Sequence, residues 1–251
     1  MTEDDSFYVG YHPVAPATVA AAVRRTVLGL ALIVLGSAAV FALAQRRADI
    51  GVFEYGHPRS LHGQIREFPY PSLLVPQTAS EGQTRYARYL LVAEGKHGAE
   101  ALVAGLDRQW ADVEGTRIAR PEREMLEVSA GGVSVAPGSG DVSLPIADLG
   151  QQTLTGEVVD SKCWLGVMKP ATGTVHRGCA SRCLSGGIPP ILMTTDSTGS
   201  TQHYLLTDAD GNAAPRYFAG LVGQRLTLVG LVRREGDLLV MRVLRSEIGW
   251  P

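Results

Sequence analysis

The chain has 251 residues, 45% of them apolar, and a formal net charge of −2 at neutral pH. That length allows one large or two small domains, and the apolar fraction suffices for packed cores. The near-neutral balance, with no runs of like charge, excludes a basic nucleic-acid footprint and a charged interaction tail.

Residues 1–25 read as a cytoplasmic tail that opens acidic ("MTEDD") and carries the aromatic, proline-bearing stretch "FYVGYHPVAP" (7–16). Rings of that kind suit an interfacial belt. Next comes "TVLGLALIVLGSAAVFALA" (26–44), 19 uncharged residues between Arg24–Arg25 and Arg46–Arg47. At about 1.5 Å per residue it reaches about 28 Å, near the hydrocarbon thickness of a bilayer. A soluble core helix is seldom apolar on every face. We expect a single-pass transmembrane anchor over 26–45, in the inner membrane. A cleaved export signal is the competing reading, because "ALA" (42–44) has the small-x-small form of a cleavage site. Both readings place the bulk of the chain in the periplasm or its extracytoplasmic equivalent. Gly29, Gly36, Ala38 and Ala42 would let a partner's membrane helix approach closely, so an integral-membrane partner is expected.

Beyond the anchor the chain repeats. Residues 89–128 align without a gap on 204–243, at an offset of 115, with ten of 40 positions identical. Tyr89/Tyr204, Leu90/Leu205, Gly105/Gly220, Gln109/Gln224 and Gly115/Gly230 are among them. Upstream, "LHGQI" (61–65) matches "LTGEV" (154–158), and "PSLLV" (71–75) resembles "PPILM" (189–193). Two copies of one unit are expected, over 51–128 and 150–248, with a glycine-rich linker or hairpin at 129–149.

Each copy reads as β structure. "QRLTLVGLV" alternates apolar and polar residues, "RREGD" turns, and "LLVMRVL" returns as the second arm of a hairpin. One short helix fits "RYFAGLVG". Five short strands and a helix suggest a small closed barrel of the OB type. Gly63, Gly115, Gly156 and Gly230 would sit where strands bend or pass closely. The expected fold is therefore mainly β: an N-terminal transmembrane helix followed by two tandem OB-like small barrels.

The copies differ in one insertion. Leu61 to Pro71 spans ten residues in the first copy; Leu154 to Pro189 spans 35 in the second. The extra residues hold every cysteine of the chain, spaced Cys163-x12-His176-x2-Cys179-x3-Cys183. Thr174 as N-cap and Gly186 as C-cap would frame a short helix over 175–184. His176, Cys179 and Cys183 would share one face of it, within about 60° of one another. Cys163 would arrive from the preceding strand. Four soft ligands then converge, a set that suits zinc or copper, with Met168 as a spare thioether. The competing reading is a disulfide from Cys163 to one of the other two, which pins a binding loop and leaves one thiol over. Asp160 is expected to cap the turn, Trp164 to shield the site or join a core, and His62, His97 and His203 to be surface or core residues.

What is missing narrows the chemistry. There is no C-x-x-C-H for covalent haem, no glycine-rich phosphate loop for a nucleotide, and no G-x-S-x-G or H-E-x-x-H for a hydrolase. The stretch "GEVVDSKC…HRGCASRCLSGG", followed by "YLL" and "GQRLTLVG", resembles small exported bacterial OB-like proteins with a G-x-V-x-D-x-x-C…H-x-x-C-A-x-x-C pattern. The resemblance covers about 154–245 and implies an OB-like fold and export, with no reaction attached. The anchor and the cysteine-free first copy depart from it. The chain thus reads as a membrane-anchored accessory protein with a Cys3His metal or thiol-redox site, serving a membrane redox complex. Two readings stand beside it. One is a structural interaction subunit whose insertion is a disulfide-pinned loop; the other is a thiol oxidoreductase using a single free cysteine.

Overall fold

The computed structural model describes residues 15–46, 51–78, 84–121, 123–138, 140–195 and 200–247; most of the "FYVGYHPVAP" stretch lies outside them. The chain divides into two units, Met1–Ala48 and Asp49–Pro251.

The first unit is helix α1, Ala17–Arg46. It begins nine residues before the expected anchor, because "ATVAAAV" is alanine-rich and continues the helix through Arg24 and Arg25. Within Ala17–Ala44 an 18-residue window has a mean hydropathy of 2.6, and the segment is long and apolar enough to cross a membrane or to serve as an export signal.

The second unit holds two five-stranded closed barrels of identical topology. In the first, β1 (Val52–Arg66), β2 (Ser72–Thr78), β3 (Thr84–Ala93), β4 (Trp110–Arg120) and β5 (Arg123–Val135) close in the order β1-β2-β3-β5-β4. In the second, β6 (Ile146–Asp160), β7 (Pro190–Thr195), β8 (Thr201–Thr207), β9 (Arg225–Glu235) and β10 (Leu238–Glu247) close as β6-β7-β8-β10-β9. The third and fifth strands run parallel in each, and all other pairs are antiparallel. This is the OB-type barrel, twice. One helical turn lies between the third and fourth strands of each barrel: α2 (Glu100–Val103) and, after the insertion's own helix α3 (Arg177–Ser185), α4 (Pro215–Phe218).

The sequence offset is also the structural one. Tyr89 pairs with Glu124 across β3 and β5, and Tyr204 pairs with Leu239 across β8 and β10. Both partners move by 115 positions. The cores follow suit: Leu91, Val113, Leu126 and Val128 fill the first barrel, and Leu206, Leu228, Met241 and Val243 fill the second. The side-chain period of two fixes which residues face inward, so a preserved register preserves the core.

One alignment needs correction. Leu73 pairs with Ile65 and Leu192 with Val158, so Leu73 corresponds to Leu192 and Pro71 to Pro190. The match of "PSLLV" to "PPILM" is one residue out, since both segments carry a proline and an unbroken apolar run. The glycines behave as expected. A Cβ on Gly63 would strike the carbonyl of Leu74, and one on Gly156 that of Met193, where the first strand of each barrel crosses its neighbour. The glycine-rich segment 129–149 is taken up at both ends by strands: β5 runs to Val135 and β6 starts at Ile146.

The barrels share a third core. Leu90, Val92, Ile118 and Met125 on the outside of the first barrel pack against Cys163, Trp164, Leu165, Cys183 and Ile188 of the insertion. The insertion is therefore wedged between barrels and is not a free loop.

Candidate metal centre

The insertion begins at the end of β6. Asp160 is fully buried, and its Oδ1 accepts the Cys163 N–H at 2.8 Å. That bond caps a single π-helical turn, Cys163–Val167. The expected capping role of Asp160 is present, with a second one beside it: Oδ2 lies 2.9 Å from His176 Nε2. One carboxylate thus fixes both ends of the cysteine–histidine pair.

Helix α3 starts later than expected. It runs Arg177–Ser185, with His176 rather than Thr174 in the N-cap position and no side-chain cap. His176 is only 3% exposed, because its ring turns inward to Asp160 instead of standing on the helix face. Gly186 ends the helix as expected, and its carbonyl accepts the Gly98 N–H of the first barrel at 3.0 Å.

The ligand atoms of Cys163, Cys179 and Cys183 lie within 4.8 Å of one another, and a second group, Asp160, Cys163 and His176, meets the same limit. The four residues expected as ligands therefore fall into two triads that share Cys163. All three cysteines carry free thiols. Cys163 Sγ and Cys179 Sγ are 4.0 Å apart. A disulfide needs about 2 Å. Two sulfurs on one tetrahedral zinc, each at about 2.3 Å, stand about 3.8 Å apart. The observed spacing is compatible with sulfurs around an ion, and equally with a hydrogen bond between two thiols. Met168, the spare thioether, is exposed.

The first barrel also reaches the cluster. Lys96 Nζ donates to Cys179 Sγ at 2.8 Å and to Cys183 Sγ at 3.6 Å. The bond to Cys179 holds the Lys96 ammonium above its usual range, so it stays charged. A hydrogen bond from Cys163, joined by the Lys96 charge, lowers Cys183 against the opposing effect of burial. The same bond, with burial and the Asp160 carboxylate, pushes the Cys163 thiol up. Of the two, Cys183 is the readier to ionise. Cys163 and Cys183 are buried while Cys179 is partly exposed, so access is past Cys179 and Lys96.

Lys96 lies 83 residues before Cys179, and the sequence reading missed it. A signal was present: the chain has three lysines, Lys96, Lys162 and Lys169, against twenty arginines. Lys162, next to Cys163, is buried; it pairs with Glu127 and donates to the carbonyls of Ala93 at 3.0 Å and Gly95 at 2.6 Å. It locks the insertion onto the first barrel, beside the loop that carries Lys96.

Trp164, next to Cys163, joins the shared core and reaches residues outside the cluster. Its carbonyl accepts Arg120 Nε at 2.5 Å, and the Arg120 guanidinium sits 4.3 Å over its ring. The His203 ring lies tilted against Trp164 with centroids 4.1 Å apart, at the half-buried edge of the core. His62 bonds Asp112 at 2.8 Å and stacks on Trp110, a surface role.

No family model and no curated protein matches the chain. Among solved structures, a deletion mutant of the single-stranded DNA binding protein from Thermus aquaticus matches at 16% identity and a TM-score of 0.22, over 80% of this chain and 96% of that one. The wild-type form of that protein matches at 16% and 0.21, over 80% and 94%. At such scores the likeness carries no argument, and the barrel topology above stands on its own strand pairing.

Proposed function

We propose that the chain is a membrane-anchored accessory protein whose exported body holds one soft metal ion, zinc or copper, through Cys163, Cys179, Cys183 and His176. The observation that carries this reading is the convergence of three free thiols within 4.8 Å at the edge of a buried wedge. With Nε2 engaged by Asp160, the nitrogen left for a metal on His176 is Nδ1, and a carboxylate behind a ligating histidine is the usual supporting arrangement. Three thiolates carry more negative charge than one zinc or cuprous ion cancels, and Lys96 supplies a further positive charge at the sulfurs. Thiolate-rich sites select zinc and Cu(I). A site with two buried thiols and one partly exposed one suits storage, delivery or a structural role better than turnover. With its anchor and this site, the protein would serve a redox complex of the same membrane.

The test is elemental analysis paired with a thiol count on the full chain, purified in mild detergent without chelator. About one equivalent of zinc or copper, lost in Cys163→Ser and reduced in His176→Ala, is the expected result. Metal-free protein with one disulfide and one free thiol would overturn it and leave the insertion as a pinned binding loop.

A further inference from the structure

Opposite in character to the thiol cluster is a cleft of about 370 Å³ where the two barrels meet under the segment that joins them. Arg66, Arg88 and Arg108 enter it from the first barrel, Arg233 and Glu235 from β9 of the second, and Asp141 from the joining segment. Four guanidinium groups thus face two carboxylates. The internal pairs are made: Arg108 Nη1 to Asp141 at 2.5 Å, Arg66 Nη2 to the other oxygen of Asp141 at 3.0 Å, Arg233 Nη2 to Glu235 at 2.5 Å, and Arg88 Nη2 to Glu235 at a long 3.4 Å. Outside the cleft, Asp107 attends Arg108, and Asp237, bonded to Arg123, lies within electrostatic reach of Arg88.

Even so, donors are left over. Arg66 Nη1, Arg88 Nε and Arg233 Nε are each buried with no hydrogen-bond partner. Arg88 is the most telling, since its side chain is 8% exposed and holds its charge in a site where burial works against it. A buried donor without an acceptor costs about 1–3 kcal/mol, more for a charged group. These nitrogens belong to three of the four arginines that line the cleft, and over the lining residues the guanidinium groups outnumber the carboxylates by two. The cleft is open to solvent, and two large apolar side chains stand exposed on its wall: Phe68 at 73% and Ile146 at 65%.

We propose that this cleft binds a phosphate group, carried on a molecule whose apolar part rests against Phe68 and Ile146. A dianion matches the residual charge. Its several oxygens match planar guanidinium donors converging from different strands, which lysines could not present in that way. Because both barrels and their connection supply the arginines, the occupant would pin the two barrels together. The same chemistry is offered by a free phosphate ester and by an acidic lipid headgroup.

The experiment is calorimetric titration of the full chain in phosphate-free maltoside detergent at low salt, with three probes: inorganic phosphate, dihexanoyl phosphatidic acid and dihexanoylglycerol. Saturable binding of phosphatidic acid is expected, weakened about tenfold in Arg88→Met and in Arg233→Gln, the loss due to one charge-assisted bond. Arg233 is the more exposed of the two, so its variant carries the test if Arg88→Met does not fold. Binding of inorganic phosphate as well would assign the site to soluble phosphates; binding of phosphatidic acid alone would assign it to a headgroup. No saturable binding of either, equal binding of dihexanoylglycerol, or affinity unchanged in both variants would each overturn the proposal.

Discussion

Lys96 shows how one residue from a cysteine-free barrel enters the chemistry of its neighbour. Its ammonium bridges Cys179 and Cys183, and outer groups that bond metal ligands commonly carry 10–100-fold in metal affinity. Lys96→Met should weaken metal retention by about tenfold in competition with a graded chelator, while leaving the number of sites at one. An unchanged chelator curve would make Lys96 a bystander. His203 offers a second residue-scale test. Burial, helped by the charges of Arg123 and Arg120, pushes it down to about 4. The unfolded chain takes up that proton near pH 6.5 and the folded chain near 4, so the unfolded state binds more protons in between. Its neutral form supports the fold fully above about 6.5, and that support drains away as pH falls toward 4. The urea midpoint of the wild type should therefore drop further than that of His203→Gln between pH 7.5 and pH 4.5. Parallel drops would mean that His203 titrates like a free imidazole.

At the scale of elements, the barrels depend on close passages that only glycine permits. Gly156→Ala sets a methyl against the Met193 carbonyl, which is backbone and cannot step aside. A loss of about 1–3 kcal/mol is expected from such overpacking. Gly178, inside α3, has open space around its Cβ position, so Gly178→Ala should gain about 0.5–1 kcal/mol from helix propensity alone. Denaturant titration of the two variants should move in opposite directions; movement in the same direction would contradict the assigned packing. The elements also show what was readable in the chain. The offset of 115, the strand that alternates through "QRLTLVGLV" and the apolar stretch near the N-terminus were all visible, because period and length are local properties. The second strands were placed one residue out, and α3 two residues early. Apolar runs such as "SLLV" and "PILM" carry no alternation to fix register, and the inward turn of His176 at the start of α3 depends on where Asp160 lies in space.

The whole two-barrel unit is held by contacts that cross between barrels. Tyr70, between β1 and β2, is buried against the second barrel, where its hydroxyl donates to the Leu206 carbonyl at 2.9 Å and accepts the Ala214 N–H at 3.1 Å. Burial raises its pKa, so the phenol stays neutral and keeps both bonds. Tyr70→Phe should cost about 1–2 kcal/mol by stranding two backbone groups. Lys162→Met should cost more, about 3 kcal/mol, because it strands the Glu127 carboxylate along with two carbonyls. Both losses should appear in one cooperative urea transition followed by tryptophan fluorescence. Two separate transitions would mean that the barrels unfold independently.

The sequence by itself determined the repeat, the OB-type strand plan, the apolar helix and the confinement of all thiols to one insertion, since each is written in the order and spacing of residues. Tertiary structure decided the rest: that His176 and Cys163 meet through Asp160, that Lys96 faces the thiols across 83 residues, and that four arginines from two barrels line one cleft. Such convergences arise from the closure of each barrel and the wedging of the insertion between them. Side chains far apart along the chain are brought within bonding distance by strand register and core packing, and no local pattern records which ones will meet.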